Sequence, residues 1–437
     1  MRISTSMVYD LGVGGIQRLQ GDVLKTQQQA STGRRILTPA DDPIASASIL
    51  ELTQSMNVND QNGTNATTAK NKLQMEESTL TDVMTLFQDV KTLAVQLGND
   101  TLTQSDRMSV VTELQSRYQA LMGLANTTDE SGQYLFSGFK GATAPFSETS
   151  PGTVVYNGDQ GQRKVRISAL REVEVSDSGA DIFQRIKTGN GVFVNTAGAA
   201  NAGTGVVSPG SVLDISKWNS ATNSKDFTIK FDVNNGVTPP VTTYDIVDNV
   251  SGNSLIDVAG VPAAAAGPYL RTYSDGAAIS LKKQAPPDTA AAFDYGAELY
   301  VAGAPATGDT FTVKASTNQD IFKTLSDMIN VMKNPAGGAM QSPVMHNGLN
   351  AVMNNLDNGL DNILRVRAAI GARLKEVESV QSTREDLSNQ YEATISNLRD
   401  VDYAKTLSDL TLQQTHLQAA QQSFVKTQSL TLFNYLS

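Results

Sequence analysis

Apolar residues recur at alternating steps of three and four toward both ends of this 437-residue chain, and at steps of two in its middle. The first spacing marks one face of a helix, the second one face of a strand. Tyr9, Gly12, Ile16, Leu19, Val23, Thr26 and Ala30 keep the helical spacing near the start. Glycines at 12, 14, 15 and 21 weaken that helix if it stands alone, at roughly 1 kcal/mol each relative to alanine. A turn-rich break, STGRRILTPADDP, follows, punctuated by Gly33, Pro39 and Pro43. Leu73, Leu80, Val83, Phe87, Val90, Ala94 and Leu97 then hold a heptad register in which Glu76 is the one polar member. After GNDTLTQSDR the pattern resumes at Val111, Leu114, Tyr118, Leu121 and Ala125. The first third therefore reads as helix, loop, long helix, loop, helix.

Beyond GQYLFSGF the period changes. TVVYNGDQGQRKVRISALREVEV alternates around NGDQG, which predicts a β-hairpin there. Residues 189–316 are rich in Gly, Ala, Pro, Asn, Ser and Thr, with short alternating runs FTIKFDV, TYDIVDNV and DTFTVKA. This stretch reads as a small all-β domain, with VPAAAAGP and QAPPDTAAAF as its loops. DVNNG is a faint echo of a calcium loop without the remaining ligands, and is read as a turn.

Helix returns at NQDIFKTLSDMINVMKN, and PAGGAMQSP interrupts it. From Leu349 a strict 4–3 register runs through Val352, Leu356, Gly359, Ile363, Val366, Ile370, Arg373, Val377, Val380, Arg384, Leu387, Tyr391, Thr394 and Leu398 to Val401. Continued further, it would set Lys405 and Ser408 on the seam. The apolar line instead moves to Tyr403, Leu407, Leu410, Leu417 and Phe424, a phase shift like a stutter. Residues near 400 are thus expected to divide two bundles along one continuous helix.

Long apolar seams need partners, because a bare one would face water. The pattern predicts a mainly α fold with a β insertion: paired N- and C-terminal coiled-coil helices over residues 1–42 and 396–437. Between them come an inner helical bundle with a β-hairpin region over 43–188 and 317–395, and a central all-β domain over 189–316. The terminal stripes are interrupted by Gln414, Gln421 and the glycines, and isolated helices are marginal. They are expected to be loose in a lone chain and to order on assembly; the plainer alternative is ordinary intramolecular core.

Composition narrows the classes. A net charge of -10 and a pI near 4.8 argue against nucleic-acid binding. With no cysteine, neither a disulfide nor a thiolate metal site is available. Arg2 is not followed by a continuous apolar core, so a secretory leader is not expected. No stretch reaches the roughly 18 apolar residues of a membrane span. The two histidines, His346 and His416, lie far apart without ligand spacing, so neither a zinc site nor a nucleophile–base pair is expected. LGVGGIQ and GNGVF fit no phosphate-binding fingerprint. In the first, glycine is read as allowing close helix packing. In TPADDP the adjacent carboxylates Asp41 and Asp42 diverge and lack positioned partners for acid–base work. They read better as a helix start, with an aspartate cap and Pro43 in the first turn.

Several motifs in order along the chain resemble those of the flagellin superfamily: MRIST, ASTGRRILTPADDP, LANTTDESGQYLFSGF with PF soon after, GAPATGDTFTV, and the long run LRDVDYAKTLSDLTLQQTHLQAAQQSFVKTQSLTLFNYL. The centre carries little of the resemblance. Pro43, where flagellins typically have alanines, and the ending SLTLFNYLS favour a junction component over the filament subunit itself. The resemblance implies a non-enzymatic structural adaptor, exported through the flagellar type III apparatus and placed at the hook–filament junction. Implied partners are further copies of the chain in a ring or helical layer, the hook-associated protein on the hook side, flagellin on the filament side, and an export chaperone at the C-terminal segment. No cofactor or metal is implied. The assembly interface is expected at Ile16, Leu19, Val23, Leu407, Leu410, Leu417, Phe424, Leu430 and Phe433, with an interdomain spoke at Pro39, Asp41, Asp42 and Pro43. Flagellin is the first alternative. A secreted adhesin or hydrolase is a weaker one, because residues 189–316 hold no histidine or cysteine.

Overall fold

The computed structural model describes residues 5–99, 101–258, 263, 267–333 and 343–429. Its helices are α1 (Thr5–Thr32), α2 (Pro43–Leu97), α3 (Gln104–Ala125), α4 (Ile215–Trp218), α5 (Ile321–Lys333), α6 (Pro343–Arg399) and α7 (Tyr403–Ser429). The early strands are β1 (Phe146–Ser150), β2 (Thr153–Tyr156), β3 (Lys164–Ser168), β4 (Arg171–Glu174) and β5 (Ile186–Lys187). The central ones are β6 (Phe193–Ala197), β7 (Val206–Val207), β8 (Ser211–Val212), β9 (Asp226–Asn234), β10 (Val241–Asp248), β11 (Arg271–Thr272), β12 (Ala278–Lys282), β13 (Asp294–Ala302) and β14 (Thr310–Ala315), and β15 (Asn318–Gln319) closes the series. The chain forms two units: Met1–Thr67 with Arg166–Arg171 and Glu378–Ser437, and Thr68–Val165 with Glu172–Val377.

In the second unit the 73–97 heptad positions are buried, Glu76 included, and so are Val111, Leu114, Tyr118, Leu121 and Ala125 of α3. Phe146, Phe183 and Phe322 join this layer as a ring cluster, with centroids 5.2–6.1 Å apart. Glu76 of the α2 seam and Arg373 of the α6 seam come together on the segment after β4. The Arg373 guanidinium donates to both carboxylate oxygens of Asp177 at 2.8 and 2.9 Å, and Asp177 N–H donates to Glu76 Oε1 at 3.1 Å.

The central β region forms a five-stranded sheet in the order β11-β10-β9-β14-β6. A second sheet runs β12-β13-β7, with β8 also on β13. Phe227, Ile229 and Phe231 alternate inward along β9 and share one core with Phe311, Val313, Leu281, Leu299 and Trp218. DVNNG ends β9 and enters the β9–β10 turn, where Gly236 N–H donates to Asn234 Oδ1 at 2.9 Å. The charged pair Arg271–Asp288 lies wholly inside this unit. The guanidinium also donates to the carbonyls of Ser280 and Lys282, so these two buried charges are matched to each other and hydrogen-bonded.

Three expectations are corrected. NGDQG does not turn a hairpin. β1 pairs with β2 and β3 with β4, each through its own tight turn. Asp159 ties the intervening loop elsewhere, accepting from Phe139 N–H at 2.9 Å and Gly161 N–H at 2.8 Å. The α6 register also slips. Beyond Val377 the inward line passes through the half-buried Gln381, Arg384, Ser388, Tyr391 and Leu398 and the buried Ile395, leaving Leu387 and Thr394 exposed. A straight helix drifts in this way against a 3.5-residue repeat. Finally, no continuous helix crosses residue 400: α6 stops at Arg399 and α7 starts at Tyr403. Asp402 caps the new helix, its Oδ1 accepting from Ala404 N–H at 3.0 Å and Lys405 N–H at 3.2 Å.

Candidate assembly interface

Within the first unit α1 and α7 run antiparallel: Gly12 meets Phe424 at one end and Gly33 meets Tyr403 at the other. The inward positions of α1 are Gly12, Ile16, Leu19, Val23, Thr26 and Ala30. Those of α7 are Thr406, Leu410, Gln413, Leu417, Ala420 and Phe424. Both sets step four, three, four, three, four, the requirement for two helices to stay in contact over several turns. The seam is thin. Only Thr26 and Thr406 are fully buried on it, and Gln413 Oε1 is buried without a hydrogen-bond partner. The two terminal helices pair with each other through this seam, and its low burial is what a loosely held pairing requires.

What the pairing leaves out is more informative. Leu11, Leu24, Leu407, Leu412 and Val425 are each more than half exposed. Leu407 and Val425 share one flank of α7, being five turns apart at about 3.6 residues per turn, and Leu412 lies on the other flank. Fully burying one such side chain is worth about 1.5–3 kcal/mol. Five together offer on the order of 10 kcal/mol to whatever covers them.

Of the expected interface residues, Ile16, Leu19, Val23, Leu410, Leu417 and Phe424 lie half-buried in the α1–α7 seam, and Leu407 lies outside it. Leu430 and Phe433 fall outside the described residues. Tyr403 is exposed and Thr406 takes the seam position, so the apolar line read from the sequence was one residue out at its start. Leu11, Leu24, Leu412 and Val425 were missed. Their signal was available: large apolar residues off the main stripe mark a helix with more than one face to cover.

The α1–α2 connection is built on the TPADDP aspartates. Asp41 Oδ2 accepts from Leu37 N–H at 3.0 Å and Thr38 N–H at 2.9 Å, while Lys25 Nζ approaches Oδ1 at 2.6 Å. The Lys25 ammonium, with those amides, holds the carboxyl well below the usual carboxylate range. Asp42 caps α2, its Oδ1 accepting from Ala45 N–H at 3.0 Å. Pro43 takes the first helical position, where no amide donor is needed. Pro39 is exposed in the turn between.

This connection also pairs with the α6–α7 break. Arg35 N–H donates to Arg399 O at 2.7 Å, Val401 N–H to Gly33 O at 3.0 Å, and Arg34 bridges Asp400. Arg35 Nη2 adds a bond to Leu398 O at 2.7 Å. Gly33 sits at φ +68°, and a β-carbon there would lie 2.9 Å from the Tyr403 hydroxyl, so only glycine fits comfortably. The unit also carries an open cleft of about 470 Å³ lined by Val58, Leu170, Leu387 and Tyr391.

Among the described residues no group of three or more His, Cys, Asp or Glu side chains could hold a metal, and no helix is long and apolar enough to cross a membrane.

Residues 3–140 match the bacterial flagellin N-terminal helical region and residues 353–436 the bacterial flagellin C-terminal helical region, together half of the chain. The chain belongs to the flagellin superfamily. Flagellar hook-associated protein 3 of Escherichia coli strain K12 is 27% identical over 434 residues, 99% of each chain. The crystal structure of flagellar hook-associated protein-3 from Legionella pneumophila superposes with a TM-score of 0.69 at 29% identity, covering 80% of this chain and 98% of that one. A flagellin of Clostridium tyrobutyricum is 31% identical, but over 116 residues, 26% of this chain and 31% of its own. Kinship over the full length thus runs to the hook-associated protein 3 branch of the superfamily.

Proposed function

We propose that this chain is a structural adaptor of the bacterial flagellum, joining the hook-side junction protein to the flagellin filament and allowing that filament to grow. Its relatives over the full length are named flagellar hook-associated protein 3, and a similar solved structure from Legionella pneumophila is named a flagellar junction protein. The observation that carries the assembly role is the pair of terminal helices with large apolar residues on their outer flanks. Copies of the chain, packed side by side through Leu11, Leu24, Leu407, Leu412 and Val425, would bury what a single hairpin leaves in water. The half-buried Ile16, Leu19, Val23, Leu410, Leu417 and Phe424 hold the hairpin that presents them. Repeated head-to-tail contacts of one surface give a ring or a helical layer. The terminal segments 1–42 and 396–437 would then form a coiled-coil layer with neighbouring copies, and the bundle of 43–188 and 317–395 would add lateral contacts. Export of the chain, with a chaperone on the C-terminal segment, accords with the amphipathic character of that segment.

The flagellin reading is weaker, because the flagellin match covers a quarter of the chain. The test separates the two. Deleting the gene in its own host should leave hooks without filaments and release flagellin into the medium. Purified chain seeded with filament fragments should not extend them; long homopolymers in that assay would overturn the adaptor reading in favour of flagellin.

A further inference from the structure

Glu76 is a carboxyl with 1% of its surface exposed, set on the apolar seam of α2. Its Oε1 accepts one hydrogen bond, from Asp177 N–H, and its Oε2 has none. Two arginines face it, and neither donates a hydrogen bond to it. Arg373, from α6, is forked onto Asp177 and lies 3.7 Å from Glu174 of β4. Gln162 Nε2 adds a bond to Asp177 Oδ1 at 2.8 Å. Arg163, ahead of β3, gives its terminal nitrogens to Gln133 Oε1 and Tyr134 O. Ionised, Glu76 would therefore set a second buried negative charge beside Asp177, with Arg373 forked onto Asp177 and Arg163 attracting it without a hydrogen bond. Such a charge is costly, and the group neutralises instead.

We propose that Glu76 is held as the neutral acid in the folded protein, and that ionising it loosens the 172–178 segment from α2 and α6. Burial, with the Asp177 charge adding to it, pushes the carboxyl up from 4.5 to about 8, against the pull of the Asp177 amide, Arg373 and Arg163. A raised value means that the folded state binds the proton more tightly than the unfolded one. The stabilisation is complete below pH 4.5 and lost as pH rises toward about 8. Proton loss then sets the Glu76 and Asp177 carboxylates side by side, with the Asp177 amide giving Glu76 its one hydrogen bond and Arg373 and Arg163 attracting it without bonding it.

The test compares the full chain with Glu76→Gln, which mimics the neutral acid. The folding constant of the wild type, relative to E76Q, should fall about tenfold per pH unit across that window. Infrared spectra of protein labelled with ¹³C-carboxyl glutamate should show a protonated Glu carboxyl band at neutral pH. It should vanish near pH 9 and be missing from E76Q; the label separates it from Asp245 and Asp320, aspartates whose carboxyls burial also pushes up. Above that pH, exchange of the Asp177 amide should speed up more in the wild type than in E76Q. Absence of the band in the wild type at pH 6, or parallel pH–stability curves for the two proteins, overturns the proposal. If E76Q does not fold, the wild-type band and its titration decide alone.

Discussion

Gly12 lies against the Phe424 ring so closely that a β-carbon at Gly12 would stand 2.6 Å from the ring edge. Gly14 and Gly15, two and three residues on, have nothing within 4 Å of that position. One glycine of the cluster is therefore a contact and its neighbours are merely a weakness. Gly14→Ala is expected to strengthen α1 by about 1 kcal/mol, the ordinary gain in helix propensity. Gly12→Ala is expected to lose more than that gain by displacing Phe424 from its seat. Amide exchange along α1 and α7 checks both: protection rises in the first variant and falls in the second.

The two faces of α7 are expected to respond differently to charge. Leu407→Lys, on the exposed flank, should change the stability of the lone chain by no more than about 0.5 kcal/mol. Leu417→Lys, in the seam, should cost roughly 2 kcal/mol of terminal pairing. Both should block filament growth on hooks when they replace the native gene. Normal filaments with Leu407→Lys would remove the flank from the assembly surface.

The thin α1–α7 seam is expected to open more readily than the second unit. Limited proteolysis of dilute chain should trim about 40 residues from each end and leave a resistant core, since low burial marks the segments that unfold locally. Equal resistance of ends and core would contradict the assembly-coupled stabilisation proposed above.

Asp41 gives the α1–α2 connection an acid sensitivity. Its carboxyl lies below the ordinary value because Lys25 and the Thr38 and Leu37 amides favour the charged form. A lowered folded value means that the contribution is present above pH 4 and lost as the pH falls through the folded value. Exchange protection at Leu37 and Thr38 is expected to decline on acidification in the wild type. In Asp41→Asn it should be low throughout and insensitive to pH.

Removing one partner of the Arg373–Asp177 pair should be costly because both side chains are largely buried. Arg373→Ala is expected to destabilise the second unit by about 3 kcal/mol, leaving Asp177 uncompensated. Urea unfolding followed by circular dichroism measures this. Arg373→Lys should recover only part of the loss, since an ammonium cannot make the fork.

Much of this architecture was legible in the chain because it rests on period. The heptad positions from Leu73 to Leu97 and from Leu349 to Val377 are buried as spaced, and β9 alternates as FTIKFDV does. The inner face of α1 is also the one its spacing marked. These features depend only on side chains separated by whole turns or pleats, which sequence distance encodes directly.

The tertiary structure decided what depends on a partner. Glu76 and Arg373 were visible as two polar breaks in apolar seams, but nothing in the spacing said that they would meet at Asp177, 101 residues beyond Glu76. The break at residue 400 hinges on Asp402 bonding its own next amides while Arg35 and Gly33 take up the freed backbone. Those partners lie hundreds of residues away. NGDQG carries a good turn signal, yet Asp159 bonds to Phe139 and Gly161, so the neighbouring strands fold back on other turns. Period sets which face of an element is apolar. Which other face covers it, and where a carboxylate finds its donors, is fixed only when distant segments compete for the same hydrogen bonds.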